Sequence, residues 1–234
     1  MAGRGTDCVT PYRIALYYAP AFDDPLHQRA SAWLGRDAAT GAALPQDAIA
    51  GVDIAEVTAD ARGYGFHATL KPPFRLQGDV RAALDTAQIF AARTAPFALP
   101  PLQVTDLDGF LALRESQPCP ALQALADGAV TALDAHRAAA TEAEIARRKP
   151  EKLSPRQREY LAAWGYPYVF AEWRFHMTLT RRLTPAEKSI ILPAVTEALG
   201  DAPAAVRTVT DICIFAQAKP GAPFTILERL KLRG

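Results

Sequence analysis

Two short segments of the chain share one pattern of an aromatic residue, a histidine, a small or apolar residue, a threonine and a leucine. They are Phe66–Leu70 and Phe175–Leu179. The chain has four histidines and 17 threonines in 234 residues, so the chance that two histidines both have a threonine two positions later is about 0.03. The repetition points to one shared chemistry, for which the candidate residues are His67, Thr69, His176 and Thr178.

Histidine and threonine in this pattern suit phosphodiester cleavage. The reaction needs a base for the attacking water or hydroxyl and an acid for the leaving oxygen, and histidine can do both because its unperturbed pKa is about 6.5. Two histidines on opposite walls of a cleft match an in-line displacement at phosphorus. The threonine hydroxyls would donate to non-bridging oxygens, while Lys71 or Arg174 would offset their charge. This scheme requires no metal and no cofactor.

Each motif is predicted to be a β-strand, because polar and apolar residues alternate with a period of two. One face of the first strand would carry His67, Thr69 and Lys71. The corresponding face of the second strand would carry Arg174, His176, Thr178 and Thr180. The opposite faces, which include Phe66 and Phe175, would pack into a core.

The remaining pattern predicts an α+β fold in which strand, helix, strand and strand occur twice. The first half is predicted to contain strand 12–19, helix 24–34, loop 36–52, the first motif strand, helix 80–93 and strands 97–104 and 108–114. Residues 118–163 are predicted to be a helical insertion that borders the cleft, with a capping box at Thr141 and Glu144. The second half is predicted to contain motif strand 172–181, a helix from Pro185 to Gly200 and strands 206–216 and 223–232.

At the two motifs the sequence resembles the 2H phosphoesterases, a superfamily named for two His-x-Thr/Ser motifs on two pseudo-symmetric lobes. It resembles in particular the DUF1045 branch, which is associated with phosphonate metabolism, in the stretches Tyr12–Pro20, Tyr64–Phe74 and Trp164–Tyr168. The resemblance implies one bilobal domain over residues 1–234, with antiparallel sheets, helices outside and a central cleft. Its approximate parts would be lobe 1 at 12–117, the insertion at 118–163 and lobe 2 at 164–234.

The resemblance also implies a reaction, namely the opening of a cyclic phosphate or small phosphodiester by His67 and His176 with Thr69 and Thr178. Proteins of this branch are encoded with carbon–phosphorus lyase components, whose pathway produces a ribosyl 1,2-cyclic phosphate that carries a 5-phosphate. We therefore hypothesise hydrolysis of 5-phosphoribosyl 1,2-cyclic phosphate. The motif specifies neither which histidine is the acid nor which ester bond breaks, and the sequence leaves open the oligomeric state and whether the insertion is a lid.

Further residues are candidates for substrate binding. Besides Lys71 and Arg174, a doubly charged substrate would need cations from the insertion, where Arg148 is the main candidate and Arg137, Arg147 and Lys149 lie nearby. Tyr17 and Tyr168 are candidates to stack on a base or sugar. The ordinary alternatives are solvated surface charges and tyrosines that pack at the surface.

Two other functions fit the same motifs. One is a cyclic phosphodiesterase or ligase-like enzyme that acts on RNA ends, which a long basic strip would favour; the sequence contains no such strip. The other is a phosphate-ester or RNA-binding module without turnover. Two intact proton-transfer groups argue against the binding module, because binding alone does not require them.

Composition favours a small-molecule partner in the cytoplasm. A net charge of +1 gives no reason to bind duplex nucleic acid or an anionic membrane, and no 18-residue apolar stretch occurs. The three cysteines lack CxxC spacing, which argues against disulfides or a thiolate zinc site. A metal site at the two motif histidines is disfavoured, with Glu172 as the nearest acidic candidate. No catalytic role is predicted for His27 or His136, and residues Met1–Asp7 are predicted to be a disordered lead-in.

Overall fold

The computed structural model describes residues 10–234, over which it has a sheet of seven strands, a separate strand pair and seven α-helices. The predicted lead-in Met1–Asp7 lies outside the described residues. The strands are β1 Arg13–Tyr18, β2 Ala68–Phe74, β3 Phe97–Leu99, β4 Leu102–Leu107, β5 Phe110–Glu115, β6 Met177–Arg182, β7 Arg207–Val209, β8 Asp211–Gln217 and β9 Phe224–Lys231. The helices are α1 Pro25–Leu34, α2 Ile54–Tyr64, α3 Val80–Ala92, α4 Pro120–Leu133, α5 Glu142–Ala146, α6 Pro155–Trp164 and α7 Pro185–Leu199. The predicted α+β class is confirmed.

The large sheet has the order β4-β5-β6-β2-β1-β8-β9, and its strand pairs are antiparallel. This order exchanges strands between the two lobes expected from the sequence. Strands β4 and β5 precede the insertion, yet β5 pairs with the second motif strand β6; β8 and β9 come last, yet β8 pairs with β1. The contiguous ranges 12–117 and 164–234 therefore do not describe the two halves of the sheet. Strand β3 pairs with β7 and provides a second exchange between the halves.

One face of the sheet carries the main apolar core. Residues from β1, β2, β5, β6 and β8 pack there against α1, α2, α3, α4 and α7. A smaller buried cluster lies on the opposite face of β1 and β8 and includes Tyr17, Phe215 and Ala38. The helices thus cover one face and leave part of the other face available for a site.

Helix ends follow local sequence signals. Asp24 caps α1 through the backbone N–H of Leu26, and Gly35 ends that helix in the left-handed conformation. The predicted capping box of Thr141 and Glu144 is present in α5. Helix α2 begins after the capping residue Asp53 and was not among the predicted elements.

The second motif strand is shorter than predicted. Residues Phe170–Glu172 form a 3₁₀ turn, and β6 begins only at Met177 instead of residue 172. Polar–apolar alternation continues through the extended segment before β6, although that segment lacks the ladder hydrogen bonds of a strand. Consequently both His67 and His176 stand at the residue just before a strand begins.

A β-bulge changes the direction of Lys71. Tyr17 lies opposite Thr69 and Leu16 lies opposite Lys71, so β2 contains one extra residue at Leu70. Lys71 is therefore turned away from Thr69 toward the end of α4, where its Nζ donates to the Val130 carbonyl (3.0 Å) and to Asp134 Oδ1 (3.1 Å). The prediction that Lys71 shares a face with the motif histidine is wrong, because alternation stops at the bulge.

Thr180 is also turned away from the motif face, although the pattern placed it there. The pairing of β5 with β6 shifts register between Thr178 and Arg182. Within this irregularity the buried Thr180 hydroxyl accepts a hydrogen bond from the backbone N–H of Leu111 (2.9 Å).

Substitution Lys71→Met tests the energetic role of this buried amine. Burial lowers the pKa of Lys71 to about 8, partly opposed by Asp134. Because the unfolded pKa is about 10.4, the folded state disfavours the charged amine below about pH 8, and stability is regained as pH rises from 8 to 10.4. We expect Lys71→Met to raise the free energy of unfolding at pH 7 by about 1–3 kcal/mol, since Asp134 keeps its ion pair with Arg137.

Chemical denaturation of both proteins at neutral and alkaline pH measures the effect. The gain should shrink as the pH approaches the unfolded pKa of lysine. A variant that is less stable than the wild type at pH 7, or a gain that is constant with pH, would contradict this account.

Candidate active site

The two motifs meet where β2 lies beside β6. Ala68 pairs with Met177, and both side chains are buried in the main core. In an antiparallel pair the flanking residues then lie opposite each other, His67 with Thr178 and Thr69 with His176, on the face away from that core. The structure therefore brings the four predicted motif residues together on one face.

The two histidines are diagonal neighbours across this strand pair. Such positions have Cα atoms about 7–8 Å apart, which leaves room for a phosphate group between the side chains. The indole Nε1 of Trp173 donates to the carbonyl of Thr69 (2.8 Å). This bond ties the segment before His176 to the first motif strand.

His67 is held on two sides. Its Nδ1 lies 2.9 Å from the Gly65 carbonyl, and its Nε2 lies 3.2 Å from Thr69 Oγ1. The ring stacks on Tyr17 with centroids 3.8 Å apart and planes inclined by 22°. Because a carbonyl can only accept, His67 carries its proton on Nδ1, and its unprotonated Nε2 accepts a hydrogen bond from the Thr69 hydroxyl.

His176 repeats this arrangement. Its Nδ1 lies 2.9 Å from the carbonyl of Arg174, which is again two residues earlier, and its ring meets the edge of Phe110 at 6.0 Å. The same tautomer follows, with Nε2 available for proton transfer. The two motifs thus share a local geometry as well as a sequence pattern.

Burial keeps both imidazoles neutral. It lowers the pKa of His67 to about 4, with the Gly65 carbonyl opposing this change and the charge of His176 adding to it. Burial also lowers the pKa of His176, where the Arg174 carbonyl and Glu115 oppose the change and Arg114 adds to it. At neutral pH, His67 is therefore the stronger candidate for a base, and His176 is the better placed of the two to carry a proton.

Gly65 gives the first motif its backbone geometry. It has φ of +80° and ψ of 172°, a region open essentially to glycine, and a Cβ here would lie 2.3 Å from the Cβ of Ala38. Since the Gly65 carbonyl accepts from His67, the glycine places the acceptor that fixes the histidine tautomer.

A cavity of about 380 Å³ opens beside the motifs. Its walls include Thr69 and His176 together with the aromatic residues Tyr166, Tyr168 and Phe110. Polar groups also line it, namely Arg174, Asp108, Gln157 and Glu172. Gln157 donates to Glu172 (2.8 Å), so this carboxylate is held in the wall. The cavity combines proton-transfer groups with aromatic surface and hydrogen-bonding groups.

The other predicted binding residues take different positions. Arg174 and Tyr168 are exposed and line the cavity. Arg148 is exposed and stacks on the Tyr166 ring at 4.6 Å. Tyr17 is 1% exposed beneath His67, so the prediction that it stacks on substrate is wrong. Lys71 is buried against Asp134 and does not face the cavity that contains His176.

Sequence reasoning did not select Tyr166, Trp173 or Gly65. Tyr166 belongs to the Trp164–Tyr168 stretch that carried the family resemblance, so a signal for it was present. Gly65 lies two residues before His67, within the Tyr64–Phe74 stretch that also carried the resemblance, so a signal for it was present as well. The contact of Trp173 with Thr69 joins residues more than 100 positions apart, and no sequence pattern predicts it.

Across residues 10–234, no three His, Cys, Asp or Glu side chains come together as a metal-binding group. No helix in the same residues is long and apolar enough to cross a bilayer.

Comparison with known proteins identifies the family. The family model described as "Protein of unknown function (DUF1045)" matches residues 69–225, which include both motif threonines and the second motif histidine. The chain belongs to the DUF1045 family. The matched range also covers the insertion, all of β6 and all of β2 except Ala68.

Two curated relatives bear the name ribose 1,5-bisphosphate phosphokinase PhnN. The protein of Janthinobacterium sp. (strain Marseille) is 40% identical over 231 residues, covering 95% of this chain and 51% of the relative. The protein of Laribacter hongkongensis (strain HLHK9) is 38% identical over 219 residues, covering 92% of this chain and 50% of the relative. The DUF1045 chain thus spans about half the length of these curated relatives.

Solved structures with a more distant likeness include Escherichia coli LigT in its apo form, at 16% identity and a TM-score of 0.46, covering 96% of this chain and 99% of LigT. A crystal structure described as a phosphoesterase has 16% identity and a TM-score of 0.45, with coverage of 96% and 100%. The protein TT0787 of Thermus thermophilus has 16% identity and a TM-score of 0.45, with coverage of 95% and 98%.

Substitution Gly65→Ala tests the backbone that holds His67. We expect it to lower the free energy of unfolding by about 2–4 kcal/mol, because it combines a strained conformation with a clash against Ala38. Gly63→Ala is a matched control, since no atom lies within 4 Å of its added Cβ and the residue is inside α2.

The control should be neutral or stabilising by up to about 1 kcal/mol, because alanine favours a helix. Urea unfolding measures stability, and the NMR signals of the His67 ring report its hydrogen bond to residue 65. Equal stability of the two variants with an unchanged His67 signal would refute the assigned role of Gly65.

Proposed function

We propose that this DUF1045 protein is a two-histidine phosphoesterase that opens a cyclic phosphate diester. The observation that carries the proposal is the register of Ala68 with Met177, which sets both His-x-Thr motifs on one face with matching tautomers. Two imidazoles with unprotonated Nε2 atoms beside two hydroxyls suit acid–base cleavage of a phosphodiester, once the substrate replaces Nε2 as the acceptor of the Thr69 hydroxyl. The adjoining cavity supplies space for the alcohol part of the ester.

In the proposed reaction His67 is the base. Its Nε2 accepts a proton from a water molecule as the water oxygen bonds to phosphorus, and one ring ester P–O bond breaks. His176, in its protonated form, donates a proton from Nε2 to the leaving oxygen, which becomes a hydroxyl. Thr69 and Thr178 donate hydrogen bonds to the non-bridging oxygens, where charge builds up. Exchange of a proton with solvent at each ring restores the starting state.

For the substrate we propose 5-phosphoribosyl 1,2-cyclic phosphate. The relatives are named as kinases of ribose 1,5-bisphosphate, yet the present chain, which matches about half of each, contains no Gly-x-x-x-x-Gly-Lys-Ser/Thr phosphate-binding motif. A hydrolase in this half would be consistent with the kinase name if its product were ribose 1,5-bisphosphate, the compound that the kinase name specifies. Water attack that breaks the bond between phosphorus and O2 yields ribose 1,5-bisphosphate, so His176 would protonate O2.

A second candidate is a 2′,3′-cyclic phosphate at the end of RNA or in a nucleotide. The aromatic lining of the cavity favours this substrate, since Tyr166, Tyr168 and Phe110 offer surfaces on which a base can stack. A binding module without turnover is the remaining alternative, and substitution of the histidines separates it from both enzymes.

We expect ³¹P NMR to detect ring opening of 5-phosphoribosyl 1,2-cyclic phosphate by the wild-type protein in excess EDTA. His67→Ala and His176→Ala should each lower the rate by about 10² or more, since each removes a proton-transfer group. His136→Ala is the matched control, because His136 contacts Thr86 away from the motifs and should leave the rate unchanged.

The outcomes separate the alternatives. Turnover that is lost in EDTA would indicate a metal-dependent reaction. Turnover of 2′,3′-cyclic nucleotides alone would select the second candidate, and binding without turnover of either substrate would select the binding module. Unchanged rates in both histidine variants would refute the mechanism.

The pH dependence tests the assignment of acid and base. The base must be neutral, so kcat/KM should rise with pH through the pKa of His67 at about 4. The acid must be protonated, so kcat/KM should fall as pH passes the pKa of His176, which lies below its ordinary value of 6.5. A bell-shaped profile with an acidic optimum follows.

Glu115→Gln should move only the falling limb, and toward lower pH, because the Glu115 charge raises the pKa of His176. The pH profile of kcat/KM for the two proteins is the measurement. An optimum above pH 7, or a shift of the rising limb instead, would contradict the assignment.

A further inference from the structure

A narrow groove beside the site is strongly basic, although the whole chain has a net charge of only +1. We call it the basic groove. Its charged lining residues are Arg13, Lys71, Arg75, Arg137, Arg147, Arg148 and a single carboxylate, Glu144. Such a concentration of cations on a nearly neutral protein is costly for folding unless the charges are compensated.

Half of these cations are compensated within the protein. Arg75 donates to both oxygens of Glu144 (3.1 and 3.0 Å). Lys71 and Arg137 share the carboxylate of Asp134, at 3.1 and 2.8 Å. These pairs form a fixed floor and wall for the groove.

The other three cations, Arg13, Arg147 and Arg148, form no salt bridge with any carboxylate in residues 10–234. Arg13 is oriented by a hydrogen bond from its Nε to Gln217 (2.8 Å), and Arg148 by the Tyr166 ring beneath it (4.6 Å). Guanidinium groups that are oriented but unpaired suit bidentate binding of a phosphate.

The basic groove adjoins the proposed reaction centre. Tyr166 carries Arg148 on its ring and also lines the cavity with Thr69 and His176. On the other side, the charge of Arg13 acts on Tyr17, the residue that stacks on His67. The Tyr166 ring therefore connects Arg148 to the cavity that contains His176.

We propose that Arg13, Arg147 and Arg148 bind a second phosphate group of the substrate. Resting on the proposed function, this assigns to the site a sugar with a cyclic phosphate at the histidines and a phosphomonoester in the basic groove. The monoester is dianionic at neutral pH, so it compensates charge that the protein leaves unbalanced. The groove would then select against cyclic phosphates that lack the second group.

Discrimination between two substrates tests the inference. The kcat/KM for 5-phosphoribosyl 1,2-cyclic phosphate is divided by that for ribose 1,2-cyclic phosphate, which lacks the 5-phosphate. We expect Arg148→Gln to lower this ratio by about tenfold or more, because a charge-assisted bidentate contact is lost. Arg156→Gln makes the same charge change at an exposed arginine of α6 outside the groove and should leave the ratio unchanged.

A binding measurement is independent of turnover. Calorimetry with ribose 5-phosphate is performed on the His67→Ala/His176→Ala protein, in which the reaction centre is disabled and the basic groove is intact. We expect binding that weakens at least tenfold when Arg147→Gln and Arg148→Gln are added. If the double histidine variant does not fold, the same titration of the wild-type protein with and without the arginine substitutions replaces it.

The two measurements separate failure of the groove from failure of the reaction. Arginine-dependent binding without turnover of either substrate would refute the proposed function and keep the phosphate site. The phosphate site would be overturned if Arg148→Gln left the ratio of the two kcat/KM values unchanged in an active enzyme. It would also be overturned if the two arginine substitutions left the binding of ribose 5-phosphate unchanged. An effect of Arg148→Gln on a dinucleotide 2′,3′-cyclic phosphate but not on the sugar phosphates would overturn the sugar in favour of nucleic acid.

Discussion

The geometry of the site depends on one contact between distant parts of the chain, the pairing of Ala68 with Met177. It joins the half of the sheet formed by β9, β8, β1 and β2 to the half formed by β6, β5 and β4. A shift of this pairing by one residue would send one histidine into the core and leave the other on the open face. Because Ala68 and Met177 are fully buried, packing of the core against α2 and α4 opposes such a shift.

Partial burial on the opposite face of the sheet prepares the electrostatics of the site. Both imidazoles are neutral because their partial burial disfavours the charged form, and the Nδ1 proton of each is committed to a carbonyl. An approaching phosphate anion reverses this preference, since it stabilises a protonated ring in contact with it. Under the proposed function, charge on the histidines would be coupled to the presence of the substrate, and the empty site does not have to hold two imidazolium ions side by side.

The sequence was sufficient for the residues whose role depends on local pattern. The repeated motif selected His67 and His176, which the structure brings to one face, and the predicted helix 24–34 and capping box at Thr141 lie close to the observed α1 and α5. Pairing partners were not accessible, because a period of two identifies a strand but does not say which strand lies beside it. For this reason the exchange of β4 and β5 with β8 and β9 between halves was missed.

For a related reason, the sequence did not predict which way side chains point after a β-bulge. Each motif strand has a register irregularity just after its threonine, at Leu70 in β2 and between Thr178 and Arg182 in β6. In both strands the next polar residue, Lys71 or Thr180, turns away from the histidine face and is buried. The bulges therefore limit each motif strand to one histidine and one threonine on that face.

The bulges also restrict which residues could provide positive charge to a substrate. A lysine or arginine two positions after the threonine would be the simplest source of positive charge, but the bulge diverts that position into the interior. Cations for the far end of a substrate must then come from another part of the chain. In the proposed site, Arg147 and Arg148 provide two of them from the insertion, with Arg148 held on the Tyr166 ring, and Arg13 provides a third from β1. Under the proposed function, the motif strands would place the reacting phosphate, while Arg13 and the two arginines of the insertion would select the rest of the molecule.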